Sequence, residues 1–227
     1  MPTRELVVGD GIAWLRDTDA LPADHAIVTS VPDVSEMPPN TLAQWRELAS
    51  EIVELACTKV HPQSAVVLYQ TDIKVDGRHI DKAYVVARGA ERAGAHCLWH
   101  KIVCRTAPGN TTFGRPAYGH WLAYSKALQL DALESTPDVL PELEAMTWAR
   151  ATPLSAAQGT CEFLRRHTAC RVVVDPFCGW GTNLAVANAY GFDAVGVELS
   201  AKRARKAGRL EFRDGAFDPG DTKPDQA

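Results

Sequence analysis

Residues 171–198 read RVVVDPFCGWGTNLAVANAYGFDAVGVE, and their order decides the fold. Val172, Val173 and Val174 form a short apolar run without alternation, which suits a parallel strand covered on both faces. An acid, Asp175, follows, then a glycine-rich turn in which Gly179 and Gly181 permit a backbone approach that a Cβ would block. Thr182 and Asn183 suit the opening of a helix, whose first N–H groups attract electron-rich ligand atoms. A second strand ends at Glu198, where open α/β sheets bind ligands. A carboxylate at that place suits a bidentate grip on a ribose diol.

Glycine turns of this kind also bind dinucleotides, but that fingerprint wants a third glycine where this chain has Leu184. DPFCGWGT instead resembles the D-P-F-x-G-x-G-T element of S-adenosylmethionine-dependent amino-methyltransferases. The resemblance extends along the chain. The DNA amino-methyltransferases of permuted motif order begin with a Gly-Asp strand end and a T-S-P-P-Y catalytic loop. A W-x-K strand and an aromatic-S-K strand follow, and the cofactor element comes last. Here Gly9-Asp10, Thr29-Ser30-Val31-Pro32-Asp33, Trp99-His100-Lys101 and Tyr124-Ser125-Lys126 precede DPFCGWGT in that order. The correspondence covers about residues 5–208.

Outward from this motif, strands are expected at Glu5–Val8, His25–Thr29, Ser64–Tyr69, His96–Cys104 and Ala117–Ser125. Helices are expected at about 41–59, 79–93, 155–167 and 200–209, with a polar loop from Thr71 to Arg78. Strand–helix alternation predicts a doubly wound, mostly parallel, seven-stranded Rossmann-like α/β sheet, with the last hairpin supplying an antiparallel strand. A single domain is expected over 1–210, with residues 211–227 a polar, disordered tail.

The resemblance implies S-adenosyl-L-methionine as cofactor. It places Asp10 at the adenine and Glu198 at the ribose. Asp175, Pro176, Phe177, Cys178, Gly179, Gly181 and Thr182 shape the methionine end, and Thr29, Thr152 and Pro153 stand in cofactor-facing segments. In the family's catalytic loop, a side-chain oxygen and a backbone carbonyl accept hydrogen bonds from the target amine, while an aromatic residue stacks on the flipped base. Ser30 and Pro32 match that loop, but Val31 replaces its first proline and Asp33 its aromatic. Ser30 is the candidate amine acceptor, with Asp33 as an alternative acceptor or base.

Substrate candidates come from two polar loops and their flanks. Lys74, Arg78, Lys82, Arg105 and Arg115 suit phosphates, and Trp99 or Tyr118 suits stacking, with Asp72, His100 and Lys101 alongside. Only residues 127–150 occupy the place of a target-recognition insertion, and they are acidic (Asp131, Glu134, Asp138, Glu142, Glu144). Phosphate contacts position a DNA reader, so this composition disfavours sequence-specific DNA recognition.

The 227 residues carry a formal net charge of −4, so no global basic field draws the chain to polyanions. No apolar run approaches the ~20 residues of a membrane span, and the N-terminus lacks a signal-peptide core. Six cysteines form no C-x-x-C pair, which points to reduced, buried thiols in a cytoplasmic protein with no metal site. The reading is a methyltransferase of nucleobase amines in nucleic acid, RNA favoured over DNA. A small-molecule or protein methyltransferase, or a non-catalytic cofactor-binding subunit, are the alternatives.

Overall fold

The computed structural model describes residues 1–37, 41–141 and 151–219. The chain forms, in order, β1 (Arg4–Val8), α1 (Gly11–Asp17), β2 (His25–Thr29), α2 (Leu42–Lys59), β3 (Val66–Gln70), β4 (Ile73–Val75), β5 (Arg78–Ile80) and α3 (Lys82–Arg92). It continues through β6 (His96–Cys104), β7 (Tyr118–Ser125), β8 (Val139–Leu140), α4 (Leu154–His167), β9 (Val172–Asp175), α5 (Thr182–Ala189), β10 (Asp193–Glu198), α6 (Ala201–Arg209), β11 (Glu211–Arg213) and β12 (Ala216–Asp218).

The main sheet has eight strands in the order β1-β10-β9-β2-β3-β7-β6-β8. The seven expected strands are all in it; the eighth, β8, pairs in parallel with the outer edge of β6. Only β7 runs antiparallel to its neighbours β3 and β6. Alternation along the strands divides the core between the two faces. Ile27, Val66, Leu68, Leu122 and Val174 pack with residues of α1, α2 and α3, while Ala26, Val28, Val67, Ala123 and Val173 pack with α4 and α5. The glycine-turn strand β9 therefore lies between β10 and β2, and three strand ends converge beside its turn: those of β1, β10 and β2.

Two expectations need correction. The polar stretch 71–78 is not a plain loop: β4 and β5 form a hairpin about Asp76-Gly77, both at positive φ. Helix α3 consequently begins at Lys82, where the Asp81 side chain caps it by accepting from the Tyr84 N–H. The segment after α6 is not wholly a disordered tail, because β11 and β12 pair antiparallel about Asp214-Gly215. Phe212 and Phe217 hold this hairpin together, with ring centroids 5.0 Å apart, and Phe212 is buried in the core beneath α5. Residues 220–227 of the expected tail lie outside the described residues.

The acidic stretch after β7 is fastened to the fold by its own charges. Glu134 pairs with Arg166 and His167 of α4 at 3.1 and 3.3 Å, and Asp138 lies 3.3 Å from Lys101. Glu142 and Glu144 fall outside the described residues.

Candidate functional site

A cleft of about 330 Å³ opens where the strand ends converge, within the size range of small-molecule sites. Its walls come from four places in the sequence. Asp10, Gly11 and Ile12 follow β1; Ser30 to Asp33 follow β2; Pro176, Phe177 and Gly179 follow β9; Glu198 ends β10. A charged wall of Lys82, Arg105 and Arg115 closes the side nearest β3.

The glycine turn is tightly built from behind. Asp175 is fully buried and anchors it: Oδ1 accepts from Thr29 Oγ1 at 2.6 Å and from the Phe177 N–H at 3.1 Å, while Oδ2 accepts from Asn183 Nδ2 at 2.8 Å. Burial pushes the Asp175 carboxyl up to about 6, against the pull of those three hydrogen bonds. Thr29 and Asp175 thus work beneath the surface, shaping the turn rather than lining the cleft. Cys178 and Thr182 are also buried, and the Cys178 N–H donates to the Val197 carbonyl at 3.0 Å, tying the turn to β10. Burial drives the Cys178 thiol far up, so it is inert. Gly181 adopts a φ of +83°, and a Cβ there would lie 2.8 Å from Ala207. Gly11 is closer still to its neighbour, with 2.1 Å from a built Cβ to the Pro176 carbonyl oxygen.

Glu198 is buried, and its Oε1 accepts from the Ser200 N–H at 2.8 Å; Oε2 makes no hydrogen bond among the described residues. Asp10 spends one carboxylate oxygen on capping α1, accepting from the Ile12 N–H at 2.8 Å. Pro153 stands at the cap of α4, and its neighbour Ala151, rather than Thr152, lines the cleft.

The loop after β2 carries the largest departure from expectation. Asp33 is 6% exposed and lies between two cations, with Lys82 Nζ donating to one carboxylate oxygen and Arg115 Nη2 to the other. Burial pushes this carboxyl up, but Lys82 and Arg115 outweigh it and hold it below the usual range. A carboxylate so held is a weak base. Burial also draws the Lys82 ammonium below the usual lysine value, although Asp33 opposes it. Ser30 lines the cleft with no such claim on it, and the Pro32 carbonyl accepts from Trp45 Nε1 at 3.0 Å, which fixes the loop against α2.

Several expected substrate residues stand elsewhere. Lys74 and Arg78 are exposed on the β4–β5 hairpin and do not line the cleft. Trp99 is no stacking platform: it meets Trp121 edge-on at 4.6 Å and Phe163 at 5.4 Å, under α4. Lys101 is buried, with Nζ donating to the carbonyls of Thr136 and Pro137 at 2.8 and 2.9 Å, and so pins the covering segment. Asp72, His100 and Tyr118 gather around His120, behind the cleft lining rather than in it. Sequence reasoning missed Gln70, at the end of β3. It lines the cleft 2% exposed, and its Nε2 has no hydrogen-bond partner among the described residues.

A sheet of this order, with β7 reversed and a glycine turn at the centre, is the class I methyltransferase fold. Solved structures share it over nearly their whole length. TTHA0409, a candidate DNA modification methylase of Thermus thermophilus, in complex with S-adenosyl-L-methionine, is 20% identical with a TM-score of 0.67, covering 91% of this chain and 92% of that one. The M1.HpyAVI complex with the same cofactor is 14% identical with a TM-score of 0.59, covering 90% and 98%. PvuII DNA methyltransferase (cytosine-N4-specific) is 14% identical with a TM-score of 0.65, covering 90% and 84%. No protein-family model and no curated protein matches the sequence. No described helix is long and apolar enough to cross a membrane.

Proposed function

We propose that this chain is an S-adenosyl-L-methionine-dependent methyltransferase that acts on an exocyclic amine of a nucleobase in nucleic acid. The observation that carries this reading is the convergence of Asp10, Ser30 and Glu198 on one cleft with the Pro176–Gly179 turn as its floor. The residues fit the cofactor. The place of a Cβ at Gly11 is taken by the Pro176 carbonyl oxygen and the Phe177 ring, which sets the loop after β1 directly against the turn, and Glu198 presents a buried carboxylate with one oxygen uncommitted. Glu198 would hold the ribose diol, Asp10 would face the adenine, and the Phe177–Gly179 turn would hold the methionine end. Bound there, the cofactor supplies a methyl group on a sulfonium centre, electrophilic enough for an amine lone pair.

This chain's own part is to aim that lone pair. Ser30 Oγ would accept one amine N–H and the Val31 carbonyl the other, which leaves the lone pair directed at the methyl group. No strong base is needed at that step, in keeping with an Asp33 carboxylate already neutralised by two cations. Lys82, Arg105 and Arg115 would meet phosphate, and Gln70 would offer its free Nε2–H to the base edge.

The preference for RNA loses part of its ground in the comparisons. It rested on the missing insertion, yet TTHA0409, described as a candidate DNA modification methylase, is matched over 92% of its own length, and PvuII is a DNA enzyme. Compactness therefore does not separate RNA from DNA here. A second reading, a small-molecule or protein amine as acceptor, is favoured by Asp33 standing where the base-stacking aromatic is expected. Transfer of labelled methyl to fractionated RNA, DNA, protein and small molecules from cells lacking the protein tests both readings. Label entering nucleic acid as N-methylated base supports the first. Label confined to metabolites or protein refutes it.

A further inference from the structure

Beside the cleft, the fold gathers a second set of chemically active groups that the reaction above does not use. Asp72, 1% exposed, sits just beyond β3, and three of the seven histidines surround it. His120 Nε2 lies 2.9 Å and His79 Nε2 3.1 Å from Asp72 Oδ2. His100 Nε2 lies 2.9 Å from the other ring nitrogen of His120. Asp81, at the cap of α3, supplies a further carboxylate: one donor atom from each of Asp72, Asp81 and His120 lies within 4.8 Å of the other two.

We propose that Asp72, Asp81 and His120 form a site for one divalent first-row transition ion, with the remaining coordination positions open to water or an anionic oxygen. The donor set is two hard carboxylates and one imidazole, which suits zinc, manganese or cobalt and does not suit a thiolate-seeking ion. Bonds of about 2.0–2.2 Å need donors roughly 3.3–3.5 Å apart around a tetrahedral centre. The Asp72–His120 separation is already near this, and the exposed Asp81 carboxylate can close the rest with the oxygen that does not cap α3.

The surroundings match what such a site requires. Each of the three ligands is oriented by a group that is not itself a ligand. The Lys82 N–H donates to Asp72 Oδ1 at 2.8 Å, the Tyr84 N–H to Asp81 Oδ1 at 2.9 Å, and His100 stands at the second nitrogen of His120. His79 holds Asp72 from the outer side. Asp72 Oδ1 and Asp81 Oδ1 between them satisfy N–H groups of the first turn of α3; the second oxygen of each carboxylate and three imidazoles exceed that need. An ion would join β7, the end of β3 and the start of α3 immediately behind Lys82, the residue that neutralises Asp33. No short motif carries the spacing 72, 81 and 120, so a metal site here is invisible to motif reading.

Chelator-stripped protein, equilibrated with Co²⁺, Zn²⁺ or Mn²⁺ alone and assayed by elemental analysis and titration calorimetry, tests the site. One ion per chain is expected, with Co²⁺ showing d–d bands but no thiolate charge-transfer band, which separates this site from the six cysteines. Asp81→Asn retains a capping oxygen on an exposed side chain, and it should weaken binding tenfold or more without loss of fold. His120→Gln should do the same, and His100→Ala should weaken binding about tenfold through orientation alone. Absence of saturable binding at one ion per chain for all three ions overturns the proposal. So does equal affinity in Asp81→Asn and the unaltered protein.

Discussion

Replacing Asp33 by Asn tests the ion cluster that occupies the place of the base-stacking aromatic. The side chains of Lys82 and Asp33 are 4% and 8% exposed, whereas that of Arg115 is 30% exposed and can turn to water. Loss of the carboxylate charge strands the Lys82 ammonium in the interior. Breaking a buried pair from one side costs about 3–5 kcal/mol, and a partly exposed pair adds at most about 1. Asn still accepts one hydrogen bond, so a loss near about 3 kcal/mol is expected, or roughly 6–12 °C in melting temperature for a chain of this size. Urea unfolding at pH 7 of Asp33→Asn, Lys82→Met and the double variant measures the coupling, and the double variant should be more stable than the two losses summed. The pH dependence has a definite sign. Because Lys82 and Arg115 hold the Asp33 carboxyl below its ordinary value, its contribution is present above about pH 4 and fades as pH falls through the lowered value. An Asp33→Asn variant within about 1 kcal/mol of the unaltered protein at pH 7, or a gap unchanged under strong acid, would refute the reasoning.

The other predictions concern the turn, the cleft and its charge. Gly11→Ala places a Cβ 2.1 Å from the Pro176 carbonyl oxygen, so S-adenosyl-L-methionine affinity by calorimetry should fall more than about tenfold, equivalent to about 1.4 kcal/mol. Gln70→Ala removes an unpartnered Nε2; urea stability should change by less than about 1 kcal/mol, while kcat/KM for the methyl acceptor falls and cofactor affinity holds. Asp175 titrates near 6 when folded against an ordinary 3.8, which corresponds to about 3 kcal/mol. That contribution is fully present below about pH 4 and lost as pH rises through about 6, so Asp175→Asn should flatten this component of the urea midpoint between pH 4 and 7. If Lys82, Arg105 and Arg115 meet phosphates with Asp33 offsetting one charge, log affinity for single-stranded nucleic acid should fall with log salt at a slope of about −1.4. A slope of zero would remove phosphate from the binding.

The parts legible in the sequence were those whose residues act on their neighbours. Three valines in a row, a following acid and a glycine turn specify a buried parallel strand and its ligand-facing end locally. Both missed hairpins carry Asp-Gly at their tips, Asp76-Gly77 and Asp214-Gly215, a strong turn signal. Their flanks, IKV/RHI and EFR/AFD, bury only one or two apolar side chains each, too few to stand out from a loop. Side-chain contacts between distant residues were not legible. Nothing local to Lys82 or Arg115 says that both meet Asp33. Nor does the spacing of Trp99 and Trp121 reveal that a register shift between Cys97 and Trp99 precedes their edge contact on the β6–β7 pair.

Under the proposed function, the cluster at Asp33 changes what would hold a methyl acceptor in this cleft. An aromatic platform contributes about 1–3 kcal/mol of stacking for any base, independent of salt. A carboxylate there offers none, and its two cations are partly spent on it. Binding must then draw on Arg105, on the share of Arg115 that remains exposed, and on hydrogen bonds from groups such as Gln70. Such contacts are directional and weaken with salt, whereas stacking is tolerant of base identity. The exchange therefore favours an acceptor recognised by its polar edge and a nearby anionic group over one captured by its π-face. The overall charge is −4, yet exposed cations also gather on α6, at Lys202, Arg203, Arg205, Lys206 and Arg209, and Arg203 lines the cleft. Anionic groups of an acceptor would then meet cations both at the cleft and along α6.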